Sequence, residues 1–152
     1  LAAAWEDLGD VVIVDAPCSG QSLLGRGKES PGCFHPATIN MNSNRQKRIL
    51  ANSAAVVSPG GYLAYLTCTY SMKENEEVVR WFLKKFPMFA PQKVDALAGH
   101  ESCYCEFPCY RLWPHDGEGA GGFAAILKNH DTANCQGVNR GDVQVLWQSE
   151  NR

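Results

Sequence analysis

Apolar positions fall in short runs separated by polar, glycine and proline clusters, and the spacing inside each run predicts an element. The run Val11-Val12-Ile13-Val14, ahead of Asp15-Ala16-Pro17-Cys18-Ser19-Gly20, is continuous and β-branched. It predicts a strand buried on both faces, as in a parallel sheet. Glycines 25, 27 and 32 and prolines 31 and 36 predict a loop over 21–36. Ile49, Leu50, Ala54 and Val57 recur at helical spacing and predict a helix over 42–57, stopped by Ser58-Pro59-Gly60-Gly61. Tyr62-Leu63-Ala64-Tyr65-Leu66-Thr67 reads as a second strand.

Ser71 and Glu74 have capping-box spacing, which predicts that a helix follows directly. Val78, Val79, Phe82 and Phe86 form its apolar stripe and Pro87 ends it. Glu74, Glu76 and Glu77 sit at its positive end, with Lys84 and Lys85 at its negative end. A short strand is expected over 92–97 and a longer one over 121–128, with an irregular excursion between them. From Asn129 onward the chain is polar, although Val143, Val145 and Trp147 alternate as in a small strand.

The 152 residues are 45% hydrophobic and 20% charged, enough for one domain. A net charge of -2 gives no global basic field, so any nucleic-acid contact is local. No apolar run approaches the roughly 18 to 20 residues of a membrane span and no leader pattern opens the chain, which predicts a soluble cytoplasmic protein. Seven cysteines at irregular spacing point to reduced thiols rather than a disulfide framework. Leu1-Ala2-Ala3-Ala4-Trp5-Glu6 reads as the end of a helix, so the chain is expected to be a piece of a longer one.

A strand, a helix and a strand of these lengths predict a right-handed parallel crossover, whose strands end at one edge. Asp15 and Cys18 follow the first strand and Cys68 follows the second, so both thiols are expected at one crevice. Two reduced thiols suit methylation at carbon 5 of a pyrimidine, an atom that becomes nucleophilic only after a thiolate adds at carbon 6. A second polar group can then assist expulsion of that thiol. Cys68, just ahead of the expected helix, is the better placed nucleophile, because a positive helix end favours thiolate. Spacing alone leaves the two roles open.

The series Asp15-Ala16-Pro17-Cys18-Ser19-Gly20, Arg45-Gln46-Lys47-Arg48-Ile49-Leu50, Pro59-Gly60-Gly61-Tyr62 through Thr67-Cys68-Thr69-Tyr70-Ser71, Glu74-Asn75-Glu76, Arg111-Leu112-Trp113-Pro114-His115 and Gly121-Gly122-Phe123 resembles the Nop/Sun family of RNA cytosine-5 methyltransferases. The resemblance implies an α/β fold, the second half of a Rossmann-like class I methyltransferase sheet, with parallel strands and an antiparallel last strand inserted between neighbours. It implies S-adenosylmethionine as cofactor and RNA, ribosomal by analogy, as substrate. Cys68 is then the nucleophile and Cys18 the cysteine that helps break the adduct. Asp15 lies between cytosine and the cofactor, and the Pro17 carbonyl holds the base's amino group. DNA cytosine-5 methyltransferases place the nucleophile in a Pro-Cys motif, equivalent here to Cys18, so the reversed assignment is the rival. Amine methyltransferases carry an Asn/Asp-Pro-Pro-aromatic motif, which Pro17-Cys18 is not.

Nothing before Asp10 supplies the family's glycine-rich loop or ribose-binding acid. The expected organisation is therefore a C-terminal part of the catalytic domain over 1–128 and a polar tail over 129–152, inactive alone. A non-catalytic RNA-binding or scaffold fragment is the alternative, and an exposed edge on the first strand would favour self-association. Arg45 and Lys47, beside Arg48, form a basic cluster for RNA phosphates. Cys103, Cys105 and Cys109 with His100 lack the paired spacing of zinc sites, and no metal is expected.

Overall fold

The computed structural model describes residues 9–117 and 119–131. Among these, β1 (Gly9–Asp15), α1 (Pro36–Ala54), β2 (Val57–Thr67), α2 (Glu76–Lys85), β3 (Phe89–Pro91), β4 (Tyr110–Leu112) and β5 (Gly122–Asn129) follow in order, with 3-10 turns at Gln21–Arg26, Asp95–Leu97 and Pro114–Asp116. The strands make one mixed sheet in the order β1-β2-β5-β3, with β4 also on β5. β1 and β2 are parallel, joined through α1, while β5 runs antiparallel to both β2 and β3 and lies between them. No helix among the described residues is long and apolar enough to cross a membrane.

Both helices cover one face of this sheet. Leu63, Tyr65, Ala125 and Leu127 point into a single core with Leu50, Val78, Val79 and Phe82, all fully buried. Burial of a side chain such as Leu63 contributes about 1.5 to 3 kcal/mol. The other face is sparsely covered. On β1, Val14 is buried whereas Val11 and Ile13 are 62% and 65% exposed. The unbroken apolar run thus conceals an alternation, and β1 is covered on only one face instead of the two expected.

Other boundaries differ from the sequence pattern for local reasons. Helix α1 begins at Pro36 rather than near residue 42, because His35 caps it, accepting at Nδ1 from the Ala37 N–H, and proline suits the first helical position. Its inward face at Asn42, Ser43 and Gln46 is polar, which hides the periodicity. Strand β2 runs back through Ser58-Pro59-Gly60-Gly61 to Val57, with an irregularity in register opposite Gly9 and Val11. A Cβ on Gly61 would stand 2.9 to 3.0 Å from the carbonyl oxygens of Ser58, Asp10 and Gly9, so the two strands close here only over glycine.

The strand expected over 92–97 is instead the short β3, where Phe89 packs edge-on to Phe82 at 5.1 Å, and 95–97 make a 3-10 turn. The excursion holds a further strand, β4, whose Arg111 is opposite Phe123. Asn129 closes β5 and donates from Nδ2 to the Val57 carbonyl, so the last strand reaches one residue into the segment expected as tail. The helix end at 1–6 and the alternation at Val143, Val145 and Trp147 lie outside the described residues.

Candidate active site

The parallel crossover brings the loops after β1 and β2 to one edge, and backbone bonds stitch them together. Ala16 N–H donates to the Leu66 carbonyl and Ser22 N–H to the Cys68 carbonyl, while Tyr70 N–H donates to the Gln21 side chain. The Sγ atoms of Cys18 and Cys68 lie 3.2 Å apart, both partly exposed. Burial, and then the hydrogen bond with Cys68, push the Cys18 thiol up to about 12. At neutral pH Cys18 therefore keeps its proton.

Glu74-Asn75-Glu76, at the start of α2, sends three consecutive fully buried side chains to three different places. Glu74 reaches the loop after β1, accepting from the Ser19 N–H (2.9 Å), the Ser19 hydroxyl (2.6 Å) and Gln46 Nε2 (3.0 Å). Asn75 holds the loop after β2, with Nδ2 donating to the Thr69 carbonyl and Oδ1 accepting from the Thr67 hydroxyl. Glu76 binds Arg111 and the Ser102 hydroxyl. The capping box predicted between Ser71 and Glu74 is not formed. The helix starts at Glu76, after a turn, because the Glu74 carboxylate is committed to Ser19 and Gln46. The positive helix end invoked for Cys68 is correspondingly further along the chain.

Aromatic rings extend from this edge. Tyr70 stacks on Trp113 with centroids 5.5 Å apart, Trp113 on His115, and the Arg111 guanidinium lies 5.3 Å from the Trp113 centroid. Gly121 lies against the same cluster, where a Cβ would stand 2.6 Å from the Leu112 carbonyl oxygen and 3.0 Å from the Tyr70 ring.

Residues 3–128 match the family described as 16S rRNA methyltransferase RsmB/F. The chain belongs to that family. Among similar proteins, the ribosomal RNA small subunit methyltransferase F of Cronobacter sakazakii is 28% identical over 132 residues, 83% of this chain and 27% of that protein. A methyltransferase homolog from Pyrococcus horikoshii has a similar structure at TM-score 0.65 and 27% identity, covering 79% of this chain and 39% of that one. NSun6 from the same organism, solved with SFG, shares the fold at TM-score 0.61 and 22% identity over 78% of this chain and 29% of that one. The chain spans about a quarter of the length of the relative from Cronobacter. Methyltransferases of the RsmB/F family use S-adenosylmethionine.

Within this RsmB/F chain, Cys18, Cys68 and Pro17 are brought together, and the Pro17 carbonyl accepts from Gln46 Nε2 at 3.0 Å. Asp15 is exposed at the end of β1 on the same side as Val11 and Ile13. Arg45 is exposed on α1, whereas the Lys47 ammonium lies 6.0 Å from the centroid of the Trp81 ring. Among the described residues no three His, Cys, Asp or Glu side chains are grouped to hold a metal, and Cys105 pairs with Cys109 at 3.1 Å between sulfurs. A hollow of about 230 Å³ between Ala54, Val57, Phe86 and Asn129 lies at the opposite end of β2 from Cys68.

Sequence reasoning passed over Ser19, Gln46, Thr69 and Arg111 as site-building residues. Polar positions at 42, 43 and 46 on one helical face were the available signal for Gln46, since such a stripe is buried only when it meets partners.

Proposed function

We propose that the chain supplies the thiol pair of an enzyme that methylates carbon 5 of cytosine in ribosomal RNA. The observation that carries this reading is the 3.2 Å separation of Cys18 and Cys68 at the shared end of two parallel strands. The activity belongs to the whole protein, of which this chain would be the C-terminal part of the catalytic domain. Cys68, as thiolate, adds to carbon 6, and the electrons of the 5,6 double bond move onto carbon 5. S-adenosylmethionine, when bound, supplies the methyl group. The carbon 5 proton is then lost to water, the double bond re-forms and the Cys68 sulfur leaves.

Cys18 fits the departure step because its thiol, raised by burial and by its hydrogen bond with Cys68, lies 3.2 Å from the leaving sulfur and can donate a proton to it. The pair is symmetric in distance, so the adduct test below distinguishes this assignment from the reversed one. The Pro17 carbonyl keeps a second lone pair beside its bond from Gln46, free for the amino group of cytosine. Asp15, exposed at the end of β1, fits a cofactor wall that also includes Val11 and Ile13. For RNA phosphates Arg45 is the better placed of the two basic candidates, since Lys47 rests by Trp81.

RNA containing 5-fluorocytidine tests the reading in the protein at its natural length, because fluorine cannot leave as the proton does and the adduct stays covalent. Wild type and Cys18→Ala should form the adduct, and Cys68→Ser should not. Adduct formation by Cys68→Ser and not by Cys18→Ala reverses the roles, and no adduct in any of the three rejects the mechanism.

A further inference from the structure

We infer that Glu74 is a positioning residue that sets the distance between the two cysteine sulfurs. The role builds on the thiol-pair reading above, but the geometry stands without it. Glu74 is a fully buried carboxylate whose partners are N–H and O–H groups rather than a cation. Such burial is costly unless the donors saturate the oxygens, and an apolar side chain would fill the same space more cheaply if packing were the only requirement.

What the carboxylate holds is specific. It accepts two hydrogen bonds from Ser19, the residue after Cys18. Gln46 Nε2 is shared between Glu74 and the carbonyl of Pro17, the residue before Cys18. The Ser19 hydroxyl also lies 2.8 Å from the hydroxyl of Thr69, the residue after Cys68. Thr69 Oγ1 also lies 3.4 Å from Glu74 Oε1, so the Ser19 and Thr69 hydroxyls and the carboxylate form one cluster that joins the two cysteine loops. Glu74 itself is anchored from the core, since the Tyr65 hydroxyl donates to its backbone carbonyl at 2.6 Å. Both neighbours of Cys18 and one neighbour of Cys68 therefore refer to a single carboxylate.

The test reads geometry without RNA or cofactor. Diamide takes two electrons and two protons from a pair of adjacent thiols, giving a disulfide and the reduced hydrazine, and peptide mapping separates the Cys18–Cys68 product from Cys105–Cys109. In the chain, Glu74→Ala should slow Cys18–Cys68 pairing at least tenfold and leave Cys105–Cys109 pairing unchanged. Glu74→Gln should restore the rate to within about threefold, because its oxygen can keep the Ser19 N–H and Gln46 while its amide donates to the Ser19 hydroxyl. Ser19→Ala, which leaves the backbone bond in place, should fall between them. An unchanged Cys18–Cys68 rate in Glu74→Ala overturns the inference. So does equal slowing of both cysteine pairs in Glu74→Ala and Ser19→Ala, which would make Glu74 a residue of the fold at large. Failure of the fluorocytidine adduct would leave these rates untouched, so the two readings fail separately.

Discussion

Arg111 meets Glu76 side-on and in duplicate, with Nε and Nη2 each 2.6 Å from a different carboxylate oxygen and both side chains at most 4% exposed. Its remaining nitrogen, Nη1, donates to the Tyr70 carbonyl at 3.0 Å, two residues past Cys68. One guanidinium thus joins β4, the first turn of α2 and the loop after β2.

Removing one partner of such a pair leaves a buried charge alone, at a cost of about 3 to 5 kcal/mol. Arg111→Ala should lose that much stability in urea unfolding, and Arg111→Lys should also lose stability because an ammonium cannot make the two-pronged contact. Replacing both partners by methionine should recover part of the loss, a coupling that a double-mutant cycle measures.

Alkaline stability should depend on Cys18. Its folded value near 12 lies above the 9.0 of an unperturbed thiol, so over that interval the unfolded chain gives up a proton that the native chain keeps. Stability is then full below pH 9 and declines as pH rises toward 12. Cys109, raised by burial and by its bond with Cys105, acts in the same direction. Unfolding midpoints measured across this range should fall with pH, and Cys18→Ala should flatten part of the fall. At neutral pH iodoacetamide should label the exposed Cys103 well before Cys18.

Among the described residues, strand β1 stands at the end of the sheet order with Val11 and Ile13 exposed. A strand edge of this kind recruits other strands. Sedimentation velocity of the chain should show concentration-dependent association, and Ile13→Lys should suppress it. A wild-type chain that stays monomeric at all concentrations would remove the prediction.

The elements legible in the sequence are those whose side chains follow one physical rule. β1, the body of β2, α2 and β5 bury apolar residues at a regular spacing, and the parallel placement of β1 and β2 follows from the crossover between them. The cysteine pair follows from that placement. Elements that bury polar groups were harder to read. The first turns of α1 hide Asn42, Ser43 and Gln46, and β4 hides Arg111, where the pattern suggests solvent. Glu74 is the sharpest instance. Its spacing from Ser71 fits a local cap, yet its shortest bonds run to Ser19 and Gln46, 55 and 28 residues away, and no short-range rule contains that choice.

The position of β5 governs the order in which the sheet can close. Strands β3 and β4 hydrogen-bond to β5 and to no other strand among the described residues, although both precede it in the chain. As the polypeptide emerges from the ribosome, β3 and β4 can reach α2 through Phe89 and Arg111 but have no strand to pair with until Gly122–Asn129 has been made. Three strands then enter together, against a β2 edge that has waited open. A chain interrupted before Gly122 would leave the β5 side of β2 unpaired, an open border that proteases and chaperones recognise.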